Sequence, residues 1–183
     1  MTSKINKRSY VITLIVFLVV LIDQITKYIV QKSMYLGEVI PVMGNFFRFN
    51  YIENPGMAFG LQIENKIIFT VLSIGAALVI LVYLIKMRNQ NIFLVTGLSF
   101  IMGGAVGNLI DRLFYGKVID FLDFEFFDIS IPQLNLGIFD LPAFGLTRWP
   151  IFNIADSSVT IGMFIITLMI LFIKDKTKVE STS

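Results

Sequence analysis

The 183-residue chain is 56% hydrophobic and 15% charged, with a mean hydropathy of +0.79 and a net charge of +2. A soluble domain is nearer half apolar and a quarter charged, so the composition indicates a membrane protein, and the small charge gives no ground for a nucleic-acid partner. Cysteine and histidine are both absent, which excludes disulfides, thiolate and Ser-His nucleophiles, and the usual transition-metal ligands.

Taken in order, Lys4, Lys7 and Arg8 precede an apolar run that continues to Val30. It lacks a small-residue cleavage site and runs into Asp23-Gln-Ile-Thr-Lys27, so it predicts a first membrane span over about 10–30 rather than a removable leader. The first outer loop, about 31–65, holds Asn45-Phe-Phe-Arg-Phe-Asn-Tyr-Ile, in which Phe47, Phe49 and Tyr51 alternate with Arg48, Asn50 and Ile52. That period of two predicts a strand with one greasy face, closed by a turn at Pro55-Gly56. Further spans are predicted over about 67–85, 92–109 and 154–173, each near the ~20 residues that a ~30 Å hydrocarbon core requires. A second outer loop, about 113–150, is rich in Phe and ends at Trp149, a composition suited to the headgroup zone.

The amino-terminal tail, the 86–91 turn and the carboxy-terminal tail carry Lys86, Arg88, Lys174, Lys176 and Lys178 besides the first three cations. Short basic segments stay cytoplasmic, so both ends are expected inside and both long loops outside. The predicted fold is a single all-α integral membrane domain over 1–183. It has four transmembrane helices, a small β-sheet (a cradle) on the outer face and a mobile outer loop.

The polar residues gather at one depth. Asp23 stands thirteen residues beyond Tyr10, roughly 20 Å along a helix, and Asn108 seventeen beyond Asn91, roughly 25 Å. Asp156 enters the last span from the same side, and Asp120 follows the third. Ionisable groups beside hydrocarbon are costly, and their default reading is a functional site. Two carboxylates within hydrogen-bond reach share one proton; the ionised partner can take a proton from water while the protonated one donates to a carbonyl oxygen. We expect Asp120 and Asp156 to form such a pair. Asn153 is expected to cap the last helix, which puts Asp156 at its third position, where the helix dipole favours negative charge.

Simpler readings stand beside these. Gly103 and Gly107 have the small-xxx-small spacing of close helix packing. Asp111-Arg112 reads as an interfacial ion pair, Lys27 as a cation reaching the headgroups or pairing with Asp23, and Asp123, Glu125 and Asp128 as solvated loop charges. Ser157 or Ser158 with Lys27 would give a Ser-Lys nucleophile. A proton or cation transporter would need a polar route, for which the inner halves offer only Thr13, Ser99 and Thr167. A non-catalytic lipid-binding scaffold is the other rival. Carboxylates alone hold calcium or magnesium weakly, so no metal or cofactor is expected.

Five stretches together resemble the lipoprotein signal peptidases, the bacterial type II signal peptidases: Asp23-Gln-Ile-Thr-Lys27, Asn54-Pro-Gly-Met-Ala-Phe59, Gly103-Gly-Ala-Val-Gly-Asn-Leu-Ile-Asp-Arg112, Gly116-Lys-Val-Ile-Asp-Phe121 and Trp149-Pro-Ile-Phe-Asn-Ile-Ala-Asp-Ser157. The resemblance implies an aspartic endopeptidase of the bacterial cytoplasmic membrane with its site near the outer leaflet. It would cleave prolipoproteins just before a diacylglyceryl-modified cysteine, and its partners would be that substrate, membrane lipid and globomycin-type cyclic peptide inhibitors. By motif, Asp120 and Asp156 are the catalytic pair, with Asp23, Lys27, Asn54, Gly56, Asn108, Arg112 and Asn153 in support. The 121–152 segment is longer than the family's pattern.

Overall fold

The structure is a computed structural model and describes residues 7–56, 66–125, 129–135, 140–141, 144–146 and 148–172. The chain forms two compact units. A helical unit comprises Met1–Thr26, Pro55–Val118 and Ile154–Ser183; a strand unit comprises Lys27–Asn54 and Ile119–Asn153.

Four helices are long and apolar enough to cross a membrane: α1 (Lys7–Ser33), α2 (Lys66–Met87), α3 (Ile92–Tyr115) and α4 (Ile154–Phe172). Their large apolar side chains point outward in numbers, among them Phe17 and Ile22 on α1, Ile67 and Leu72 on α2, and Phe164 and Ile170 on α4. A water-soluble bundle would bury these; lipid is the solvent that suits them. Helices cover the four stretches expected to span, with residue 173 outside the described residues. The third helix corrects its expected end, continuing past 109 to Tyr115. Asp111 and Arg112 interrupt the apolar run but not the helix. Gly116 stops it, in the left-handed conformation (φ 70°), with its N–H bonded to the Arg112 carbonyl at 3.0 Å.

α3 is the most buried of the four, with Val95, Gly97, Ser99, Gly103, Gly104, Gly107, Asn108 and Asp111 inside. Its glycines divide between two neighbours. A Cβ on Gly103 would meet Val19 of α1, whereas one on Gly104 would fall 2.3 Å from the Ala155 carbonyl oxygen of α4. Gly97 and Gly162 meet in the same way, each lying against the other's carbonyl. Small residues let helix backbones touch where lipid supplies no hydrophobic drive.

In the strand unit, β1 (Val39–Met43), β2 (Phe47–Asn54) and β3 (Val118–Phe124) form one sheet in that order. β1 and β2 are antiparallel, with Val39 opposite Asn50 and Pro41 opposite Arg48. The alternation expected on β2 holds. Tyr51 is buried, Phe47 stacks on Phe124 with ring centroids 4.5 Å apart, and the even-numbered Arg48, Asn50 and Asn54 turn their side chains to carboxylates of β3.

β3 was expected only as loop. It pairs on its other side with the stretch leading into α4, where the N–H groups of both Phe121 and Leu122 donate to the Phe152 carbonyl (3.1 and 2.8 Å). Two successive donors on one acceptor is the pattern of a β-bulge, which resets the in–out alternation. Farther along, β4 (Ile129–Ile131) pairs with β7 (Phe144–Leu146), and β5 (Leu134–Asn135) with β6 (Asp140–Leu141), as nested antiparallel pairs. The rest of the expected mobile loop, with Asp128, lies outside the described residues, as do Met57–Phe59 and the terminal lysines at 4, 174, 176 and 178.

Candidate active site

The strand unit holds Asp120, only 2% exposed. One carboxylate oxygen accepts the Asn54 amide from β2 at 3.1 Å, and the other accepts the Asn153 amide at 2.7 Å. Asn153 also donates to the Ile119 carbonyl at 3.2 Å, so a fully buried amide fixes both the backbone and the side chain around Asp120. Lys27 is buried as well, at 2% exposure, which corrects the reading of a cation reaching out to headgroups.

Three residues on, Asp123 is 1% exposed, contrary to its reading as a solvated loop charge. Arg148 Nε donates to one of its oxygens at 2.6 Å; Arg48 donates to the other through Nη2 at 2.6 Å and Nε at 3.0 Å, with Asn50 at 3.4 Å. Burial pushes the Asp123 pKa up, but the hydrogen bonds from Arg148, Arg48 and Asn50, together with the charge of Arg148, outweigh it and hold the group below the usual carboxylate value. Asp123 is therefore a fixed anion. Glu125 accepts from Arg148 too. The sequence reading missed this cluster because strict alternation along β3 puts residues 120 and 123 on opposite faces, and nothing in the residue pattern announces the bulge.

The helical unit holds Asp156, half-buried at the third position of α4 as expected. Asn108 donates to its carboxylate at 2.8 Å, and Arg112 lies one turn on, its guanidinium 3.5 Å from the Asn108 carbonyl. Asp23 on α1 is fully buried and accepts the Ala155 N–H at 2.9 Å. It thereby satisfies one of the orphan donors at the start of α4. The Gln24 amide lies 3.1 Å from Asp23, 3.0 Å from Asp111 and 3.2 Å from the Gly107 carbonyl. Asp111 is a buried acceptor for Gln24. Gly56 is buried at φ 117°, and a Cβ there would overlap the Phe69 ring, so the site's turn admits no side chain. Ser158 spends its hydroxyl on the Ile154 carbonyl at 2.9 Å, which argues against a serine nucleophile at that position.

Each unit thus offers one carboxylate held by side-chain amides: Asp120 between Asn54 and Asn153, and Asp156 by Asn108. Four membrane-capable helices and this polar set describe a multi-pass membrane enzyme. The family model for signal peptidase (SPase) II matches residues 15–172. The lipoprotein signal peptidase of Syntrophus aciditrophicus is 39% identical over 165 residues, 87% of this chain and 91% of that one. That of Pelotomaculum thermopropionicum is 38% identical over 163 residues, covering 89% and 93%. A solved bacterial membrane enzyme, determined by the in meso method at 2.3 Å, superposes with a TM-score of 0.69 at 31% identity, covering 94% of both chains. The chain belongs to the signal peptidase II family, and it is an aspartic peptidase.

Proposed function

We propose that this peptidase removes the signal peptide from diacylglyceryl-modified prolipoproteins, cleaving just before the lipid-modified cysteine, with Asp120 and Asp156 as one proton-sharing pair. The observation that carries the reading is that side-chain amides orient both carboxylates: Asn54 and Asn153 donate to Asp120, and Asn108 donates to Asp156. The chain also links them: Asn153, which bonds Asp120, is three residues ahead of Asp156.

In the reaction, the ionised carboxylate takes a proton from water as the water oxygen attacks the scissile carbonyl carbon. The protonated carboxyl gives its proton to the carbonyl oxygen, forming a tetrahedral diol. The first carboxyl then passes its proton to the leaving nitrogen, and the C–N bond breaks. The second carboxylate recovers a proton from the diol, so one acid, one amine and a once-protonated pair remain. Acyl chains of the substrate partition into the bilayer and hold the peptide bond at fixed depth, an orientation effect that lowers the barrier. Both chain ends would lie on the cytoplasmic side of the cytoplasmic membrane, with the pair near the outer leaflet. Arg112, and Lys27 in the strand unit, are the cations we assign to ester or carbonyl oxygens of the substrate.

An ion route finds little support. Ser99 is fully buried and bonds its own helix at Val95 O (2.7 Å), and the ≈ 420 Å³ cleft of the helical unit has Thr13 as its one polar lining residue. The test is cleavage of a diacylglyceryl-modified prolipoprotein by the reconstituted protein, with the cut bond identified by mass spectrometry. Asp120→Asn and Asp156→Asn should each lose at least about 100-fold in rate. Near-normal cleavage by either variant would overturn the pairing.

A further inference from the structure

β3 carries two buried carboxylates that are bonded on the same plan. Asp120 takes one oxygen to β2 (Asn54) and the other to the stretch before α4 (Asn153). Asp123 does the same with stronger donors, one oxygen to β2 (Arg48, Asn50) and the other to that stretch (Arg148). Between these two ties the 148–153 stretch is zipped to β3 by backbone bonds, Trp149 N–H to Phe124 O at 2.9 Å and Phe152 N–H to Leu122 O at 3.1 Å. Arg148 further donates to the Asn45 carbonyl at 2.9 Å, in the turn between β1 and β2.

We propose that Asp123 and Arg148 are positioning residues for Asp120, an inference that rests on the catalytic reading of Asp120. The bulge at Phe121-Leu122 brings both carboxylates toward the even-numbered side chains of β2, and a bulge needs its flanks held if it is to aim a side chain reproducibly. The Arg48–Asp123–Arg148 clamp holds one flank. Asn54 and Asn153, bonded through Asp120, occupy the other. Without the clamp, the 148–153 stretch can shift along β3 and carry the Asn153 amide away from Asp120. Asparagine cannot replace Asp123, because its amide N–H groups would face a guanidinium. The cationic donors that make the clamp strong also bar Asp123 from acid–base work, so its contribution is geometric.

The experiment uses the full chain in proteoliposomes with the diacylglyceryl-modified prolipoprotein, reading kcat and KM separately and the unfolding temperature in detergent. Arg148→Gln should lower kcat by about tenfold or more with KM within about twofold, since a displacement near 1 Å is enough to cost that much. Arg148→Lys, which keeps the charge and one donor, should recover part of the loss. Asp123→Asn should lower kcat as far, and the double variant should fall no further than the worse single one, because the two act as one unit. Wild-type kcat in Arg148→Gln, a loss confined to KM, or losses that multiply in the double variant would overturn the proposal. If Asp123→Asn does not fold, the two Arg148 variants decide it. Asp120→Asn in parallel separates the readings: its inactivity beside a fully active Arg148→Gln removes the positioning role alone, whereas its activity removes the catalytic reading beneath it.

Discussion

On β3, Asp120 accepts hydrogen bonds from the amides of Asn54 and Asn153, and Asp123 accepts them from the guanidiniums of Arg48 and Arg148. Hydrogen bonds from amides orient a carboxylate without adding charge, while paired guanidiniums fix it as an anion. For Asp123 the sign of the pH effect follows. Its pKa in the folded chain is held below the ordinary value of 3.8, so its ion pairs stabilise fully above that value. The contribution is lost as pH falls through the lowered folded pKa. Asp123→Asn should be less stable than wild type at pH 7, by about 2–3 kcal/mol, the lower range for a buried pair whose arginines keep some water contact. The gap should narrow as the medium is acidified below about pH 4, since wild type loses this term and the variant has none to lose. Thermal unfolding in detergent over that range checks it, and parallel stability curves for the two proteins would contradict it.

At the scale of elements, the start of α4 is fixed by two contacts that have no side-chain signature. Gly104 brings α3 against the Ala155 carbonyl, and Asp23 takes the Ala155 N–H. Asp156 is the next residue. Gly104→Ala would place a methyl 2.3 Å from backbone oxygen, so α4 must move, at a cost of about 1–3 kcal/mol. A drop in both unfolding temperature and kcat is expected, whereas Gly75→Ala on α2, with nothing within 4 Å of the new methyl, should leave both nearly unchanged. Equal behaviour of the two variants would show that the close approach does not matter.

The same elements show what the residue pattern discloses. Apolar length gave all four helices, and the alternation of Phe47, Phe49 and Tyr51 gave β2, because both follow from side chains meeting lipid or core with a fixed period. The end of α3 was misread because charge, which stops an apolar window, does not stop a helix; the left-handed Gly116 does. Asp123, Arg48 and Arg148 escaped because their meeting depends on a bulge and on pairing across 75 and 25 residues. Gln24 stood inside a quoted motif, yet its three acceptors come from α1 and α3 together.

For the whole molecule, two units each bring one amide-held acid, and the proposed chemistry exists only when these acids act together. Neither the helical unit with Asp156 nor the strand unit with Asp120 contains the acid–base couple by itself. The central claim is that one proton is shared between them, which makes the two side chains a single functional group. The most direct test is single-turnover cleavage of the diacylglyceryl-modified prolipoprotein by Asp120→Asn, Asp156→Asn and the double variant. Each single variant should be as slow as the double, because removing either half of a cooperating pair removes the whole. A single variant that keeps substantial activity, or single losses that multiply in the double variant, would contradict the claim.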